Sequence, residues 1–263
     1  MSRAWLGIVA FAVLAFLLVP VVIVVPMSFS DASYLEFPPR AWSLRWYQAY
    51  FGSIEWMAAT RTSFAAAFCT VLIATPIGFA GAYCIDKLEG RPRHLLMAVL
   101  LSPQLMPVIL LAIGLFFLYI RLGLVDSFPG IVLAHVALAI PFVVTTVVAG
   151  LSRFDRNLEN AARSLGASRL RAIVDVVLPQ VKMSVMAGAL FAFVSSLDEV
   201  VIGLLVAGGP NTVLTRKMFM SLRDQVDPTI AAISTLLIGI SLVAVALFLV
   251  MERAAARSAA RSG

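Results

Sequence analysis

Charge is the scarcest commodity in this chain. Only 13% of its 263 residues are Asp, Glu, Lys or Arg, against roughly a quarter in an average soluble domain. Lysine occurs only as Lys87, Lys182 and Lys217, histidine only as His94 and His135, and cysteine only as Cys69 and Cys84. Each shortage excludes a class of chemistry. None of the lysines closes a Gly-x-x-x-x-Gly-Lys-Ser/Thr loop, so the chain carries no phosphate cradle with which to hydrolyse ATP. Neither histidine belongs to a His-Glu-x-x-His pair, and no Gly-x-Ser-x-Gly elbow occurs, which removes zinc proteases and serine hydrolases. No residue set has the spacing of a metal site. His135, inside a predicted helix, reads as a packing residue rather than a proton relay. Cys69 and Cys84 sit on one predicted helix about 22 Å apart at 1.5 Å per residue. A disulfide needs Cα atoms within roughly 7 Å, so they read as two small buried residues.

What fills the space is apolar: 61% of residues. A membrane span needs about 20 mostly apolar residues in a row, and six segments qualify: Ala4–Pro26, Ala58–Tyr83, His94–Ile120, Pro129–Gly150, Met183–Val206 and Thr229–Met251. The first follows Arg3 but is longer than a signal-peptide core and lacks a small-residue cleavage site, so it is expected to be retained. With six spans both termini share a side with the loops near 84–93 and 151–182. That side carries thirteen Lys and Arg (Arg3, Arg257 and Arg261 among them) and the other seven, which assigns the termini to the cytoplasm by the positive-inside rule. The net charge of +6 is therefore a topology signal. It forms no clustered basic patch, so nucleic acid is not an expected partner. No short repeat or inserted soluble domain interrupts the chain, and one domain over 1–263 is expected.

Details within the spans add constraints. Phe37-Pro38-Pro39 interrupts the largest outer loop, after which Ser43 is placed to cap a short helix carrying Trp46, Tyr47 and Tyr50. Those rings suit either a membrane interface or a binding-protein contact. Pro103 and Pro107 each remove a backbone hydrogen bond and bend the third span, and Pro76 and Pro141 read as similar kinks. The Ala- and Arg-rich tail after Glu252 reads as a helix end that frays.

The loop between the fourth and fifth spans contains Glu159-Asn160-Ala161-Ala162-Arg163-Ser164-Leu165-Gly166, followed by Val176-Val177-Leu178-Pro179. It resembles the cytoplasmic loop of bacterial ABC-importer permeases, whose pattern is Glu-Ala-Ala, three residues, Gly, nine residues, Ile-x-Leu-Pro. Ala161, Ala162, Gly166, Leu178 and Pro179 match in register. Asn160 stands where that family has Glu, Val176 where it has Ile, and Glu159 is one position early. The resemblance implies an all-α membrane protein of the type I importer fold, whose loop docks a separate ATPase dimer that binds ATP and Mg. It also implies a sister permease, an external solute-binding protein, and no cofactor in this chain. The location implied is the bacterial inner membrane.

One acidic pair stands inside an apolar span: Asp198-Glu199. A charge at a helix centre costs about 2.5–3.5 kcal/mol on insertion scales, so such groups face a cavity or a partner. On a continuous helix Ser184, Gly188, Ala192, Ser195, Glu199 and Gly203 form one small or polar stripe. It is either a packing seam, with the acids paired structurally, or the wall of a translocation path with Ser195, Asp198 and Glu199 lining or gating it. Glu199, on the stripe, is the favoured acid. The segments 196–203, 208–212 and 228–235 are similar to the second permease subunit of spermidine/putrescine importers, which implies a small cationic cargo. Carriers of opines, aminophosphonates, thiamine and iron in the same branch keep other solutes open. A secondary transporter would predict an internal repeat or broken helices, and neither is legible in the sequence.

Overall fold

The computed structural model describes the backbone of residues 4–224 and 226–262 and the side chains of 5–224 and 226–254. Arg3 and the side chains of Arg257 and Arg261, which enter the charge count, lie outside the described residues. Among the described residues every regular element is helical, apart from an isolated bridge between Ser30 and Trp42. The chain read as one domain divides into two compact units, one of residues up to Ala58 with Lys217–Val243, the other of Ala59–Arg216 with the chain from Ala244.

In the first unit α1 (Ala4–Met27) is apolar around its whole circumference and exposed along its length, as a helix facing hydrocarbon must be. After it the chain turns through an aromatic cluster. Phe29 stacks its ring 5.2 Å from Tyr47, whose hydroxyl hydrogen-bonds Ser28 Oγ at 2.7 Å. The expected short helix is α2 (Arg45–Gly52). Ser43 Oγ accepts from the Arg45 N–H, but the residue at the cap position is Leu44, so Ser43 acts one position earlier than expected.

The longer helices are α3 (Ile54–Lys87), α4 (Gly90–Leu105), α5 (Val108–Leu122) and α6 (Phe128–Leu151). The third span, expected as one kinked helix, is instead two helices, α4 and α5, bent by 98°. Met106 takes an extended conformation, as a residue before proline prefers, and Pro107 has no N–H with which to continue the ladder. Pro107 therefore breaks the span rather than curving it, while Pro103 is accommodated inside α4. Gly123 ends α5 in the left-handed region, and Ser127 caps α6 by accepting from the Gly130 N–H.

Beyond α6 come α7 (Arg156–Ser164) and α8 (Arg169–Ala172), then a π-helical turn over Ile173–Val177 that leads into α9 (Leu178–Asp198). The fifth span breaks too: α9 stops at Asp198, Glu199 is extended, and α10 (Val201–Val206) follows. Two spans thus contain broken helices, which were not legible in the sequence. α11 (Leu214–Asp224) and α12 (Thr229–Ser262) complete the order, and the tail expected to fray is helical through Ser262. Among the described residues five helices are long and apolar enough to cross a membrane, and six spans result if the bent α4–α5 pair counts as one.

The second unit's core lies along α3, α6 and α9. Ala66, Ala74 and Ala82 of α3 and Val143 and Val147 of α6 are fully buried there. Small residues let the backbones approach closely, the usual means of helix association in lipid. A Cβ on Gly188 would stand 2.6 Å from Thr146 Oγ1 and 3.0 Å from Val143 Cα, and one on Gly150 would stand 2.4 Å from Ser184 Oγ. Cys69 is half-buried but Cys84 is exposed on α3, contrary to the buried reading, and both are free thiols.

Candidate functional site

Two places carry functional side chains: the loop around α7 and the break between α9 and α10. α7 begins where Asp155 Oδ1 accepts from the Asn157 N–H and runs for nine residues. It ends in a hydrogen-bonded reversal in which Gly166, at φ +94°, follows the C-cap Leu165. The Ala167 N–H reaches back to the Ala162 carbonyl at 3.1 Å and the Gly166 N–H to Arg163, the two bonds of a Schellman ending. Gly166 is therefore held in the left-handed region, at a φ where a Cβ is costly.

The sequence did not reveal which way α7 faces. Glu159 points inward and is 2% exposed. Its carboxylate accepts from Tyr83 Oη at 2.6 Å and from Lys87 Nζ at 2.6 Å, both on the last turns of α3. One turn earlier Arg156 Nη2 donates to Asp86 Oδ1 at 2.8 Å and to the Asp86 carbonyl. The Lys87 ammonium and the Arg169 guanidinium lie 5.2 and 5.6 Å from the centre of the Tyr83 ring. Burial by itself would raise the Glu159 carboxyl. The hydrogen bonds from Lys87 and Tyr83, with the charges of Lys87 and Arg163, outweigh it and hold the group below its ordinary value. Glu159 is thus a charged rivet between α7 and α3. Asp86, Lys87, Tyr83 and Arg156 were missed as site residues. The available signal was a charged pair, Asp86-Lys87, closing an otherwise apolar span.

Outward, Asn160, Ala161, Leu165 and Gly166 are exposed and Ala162 is half-buried. Asn160, Arg163, Ser164, Ala167, Ser168 and Arg169 line an open groove of about 580 Å³. Leu165 and Leu170 stand beside it at 89% and 72% exposure. Leu178 and Pro179, the end of the motif, open α9 immediately after the π turn. Pro179, which has no N–H to donate to the preceding turn, directly follows that local change of hydrogen-bond register.

At the other place the small-residue stripe divides. Ser184 and Gly188 pack against Gly150, Thr146 and Val143 of α6, and Ala192 is buried; Ser184 also lines an open pocket of about 320 Å³ with Arg153, Asp155 and Leu158. Higher on α9, Ser196 Oγ hydrogen-bonds His135 Nδ1 of α6 at 2.7 Å. His135 is buried and its Nε2 has no partner among the described residues, so it is only half satisfied. Ser195 is half-buried. The helix then breaks, and the two acids part ways. Glu199 leaves the stripe: its Oε1 accepts from the Ile202 N–H at 2.9 Å, capping α10, while its carbonyl accepts from Thr215 Oγ1 at 2.6 Å. Arg216 Nη1 reaches the Gly203 carbonyl at 3.3 Å. These contacts supply the backbone partners that a break inside a span requires. Asp198 is exposed and has no hydrogen bond or ion pair among the described residues. Of the two acids, Glu199 is occupied with backbone and Asp198, among the described residues, is not. Among the described residues no His, Cys, Asp and Glu cluster is suited to a metal.

The family described as "Binding-protein-dependent transport system inner membrane component" matches residues 74–261. The spermidine/putrescine transport system permease protein PotC of Haemophilus influenzae is 30% identical over 255 residues, covering 96% of this chain and 98% of that one. The putrescine transport system permease protein PotI of Escherichia coli K12 is 30% identical over 242 residues, covering 89% and 86%. In fold, the chain is similar to a bacterial ABC transporter crystallised for its import of the acidic polysaccharide alginate. That likeness has a TM-score of 0.67 at 16% identity and covers 95% and 96% of the two chains.

Proposed function

Since this chain belongs to the family of binding-protein-dependent transport system inner membrane components, we propose that its cargo is a small cationic solute, polyamines such as putrescine and spermidine first. It is a non-catalytic permease subunit of an ABC importer. In this reading it pairs with a sister permease, receives cargo from an external solute-binding protein, and is driven by a cytoplasmic ATPase dimer that binds ATP and Mg. The outward face of α7 and its flanks docks that ATPase, with both termini in the cytoplasm. The 30% identity to polyamine permeases over nearly the whole chain supports the cargo class.

The observation that carries the reading is Asp198, an exposed and unpaired carboxylate at the break of a span. A bare acid at membrane depth is expensive. Water in a pathway and a cationic solute passing along it offset that cost. Ser195 is one turn below, and Glu199 holds the break open by capping α10.

The test is neutralisation. Asp198→Asn should leave the complex assembled with normal basal ATPase activity while uptake of labelled putrescine or spermidine falls at least tenfold, a loss of about 1.4 kcal/mol or more. Glu199→Gln should instead weaken assembly, because the α10 cap loses its charge. Full polyamine uptake by Asp198→Asn would remove that residue from the pathway, and uptake of an uncharged or anionic solute only would overturn the cargo class.

A further inference from the structure

The polarity of the docking face is inverted with respect to what the loop motif leads one to expect. The motif's acid position holds Asn160, and the one nearby glutamate, Glu159, is buried against Tyr83 and Lys87. The loop over 151–182 contains six basic and three acidic residues. Of the three acids, Glu159 faces inward, Asp155 caps α7, and Asp175 pairs with Arg171 at 3.3 Å. What remains free toward solvent is basic. Arg163 is exposed and makes no hydrogen bond or salt bridge among the described residues, and Arg169, also exposed, has its guanidinium 5.6 Å from the centre of the Tyr83 ring and no ion pair among the described residues. Both line the same groove as Asn160, Ser164 and Ser168, with no acid among its walls. Leu165 and Leu170 project beside it.

We infer that the surface received by this groove is an apolar pocket rimmed by carboxylates, belonging to the ATPase subunit, whose side-chain acids pair with Arg163 and Arg169. The inference rests on the docking reading above and adds to it the sign of the charge and the chemistry of the partner. Two exposed leucines beside the groove offer apolar area for a receptor to cover. Two guanidiniums flanking a polar groove match carboxylates in a planar, two-pronged fashion that lysine cannot reproduce. Complementary charge at the rim of an interface governs encounter and salt dependence, with apolar anchors supplying the core of the affinity. Asn160 fits the same scheme, because a glutamate there would set a negative charge beside the incoming acids.

The experiment uses the assembled transporter, tagged on this permease and held in lipid nanodiscs, and measures the dissociation constant of the ATPase. Salt is set at about 50 mM and about 500 mM KCl, to either side of the range in which surface charges are screened. The expected result is weaker wild-type binding at high salt. Arg163→Glu should weaken low-salt binding at least tenfold and Arg163→Gln less, both converging on the wild type at high salt. Asn160→Glu should weaken binding severalfold. Tighter binding by Asn160→Glu, or no change in either Arg163 variant, overturns the inference. So does an Arg163→Glu defect confined to nanodiscs of anionic phospholipid and absent from neutral ones, which would hand the arginines to the membrane surface. Leu165→Asp separates the two levels. If it releases the ATPase while the arginine variants do not, the charge assignment fails and docking stands. If it too leaves the ATPase bound, docking by this loop fails.

Discussion

Glu159 is the residue on which the loop's orientation turns. Its side chain is 3% exposed and that of its partner Lys87 28%, so the pair is shielded on one side and wet on the other. Glu159→Gln keeps the shape but leaves Lys87 and Tyr83 facing a neutral amide. The expected loss is about 1–2 kcal/mol, the usual worth of a charged hydrogen bond reduced for the exposed ammonium. It should be read as faster amide exchange over residues 156–164 with little change in α6. The pH dependence follows from the direction of the shift. A carboxyl held below its ordinary value stabilises the folded form wherever the unfolded one is ionised, and that stabilisation disappears as pH falls through the lowered value. The difference in thermal stability between wild type and Glu159→Gln should therefore be constant from pH 7 down to about 5. It should shrink below the ordinary glutamate value of about 4.3. A difference that grows on acidification would contradict the rivet.

Among whole elements, the α6–α9 pair bears the load of the second unit, and it does so through absent side chains. Gly188 meets Val143 Cα, a backbone atom that cannot swing aside. Gly188→Val should therefore cost about 1–3 kcal/mol, the range for overpacking a tight interior, seen as a lower thermal midpoint of the purified permease. Gly7→Val, at a helix position with nothing within 4 Å, should leave that midpoint unchanged. The breaks in the α4–α5 and α9–α10 spans have different causes. The first is written in covalent chemistry, by Pro107 and the restriction it imposes on Met106. The second has no proline, and it persists because Glu199, Thr215 and Arg216 supply hydrogen bonds that a continuous helix would have made for itself.

For the whole molecule the open quantity is orientation in the bilayer. The count of thirteen basic residues against seven predicts that residue 168 is cytoplasmic and residue 212 external. The labelling experiment must begin from a chain with Cys69 and Cys84 replaced by alanine, since the thiol of Cys84 is exposed. In that background Ser168→Cys should resist an impermeant thiol reagent in intact cells and react in inverted membranes stripped of ATPase. Thr212→Cys should show the reverse. The opposite pattern would overturn the orientation and, with it, docking from the cytoplasm.

The sequence by itself determined the parts whose physics is local. Long apolar runs become helices because a backbone in hydrocarbon must satisfy its own hydrogen bonds within the segment. Gly166 ends α7 because few other residues tolerate that φ, and the loop motif carried the family. A distortion of the third span was legible at Pro103 and Pro107, but neither the break nor its 98° angle was. Tertiary structure decided everything that depends on what a face meets. Helical periodicity put Gly188 and Glu199 on one stripe, but it cannot say that α6 covers the lower part or that the helix ends before Glu199. It could not choose between adjacent acids either. Glu199 is occupied because its carboxylate caps α10 at Ile202 while Thr215 of α11 holds its carbonyl, whereas Asp198 has no such partner among the described residues. Glu159, one position from where a docking acid was expected, turned inward for a similar reason: neighbouring residues on a helix differ by about 100°, and the last turns of α3, with Tyr83 and Lys87, lie on its side.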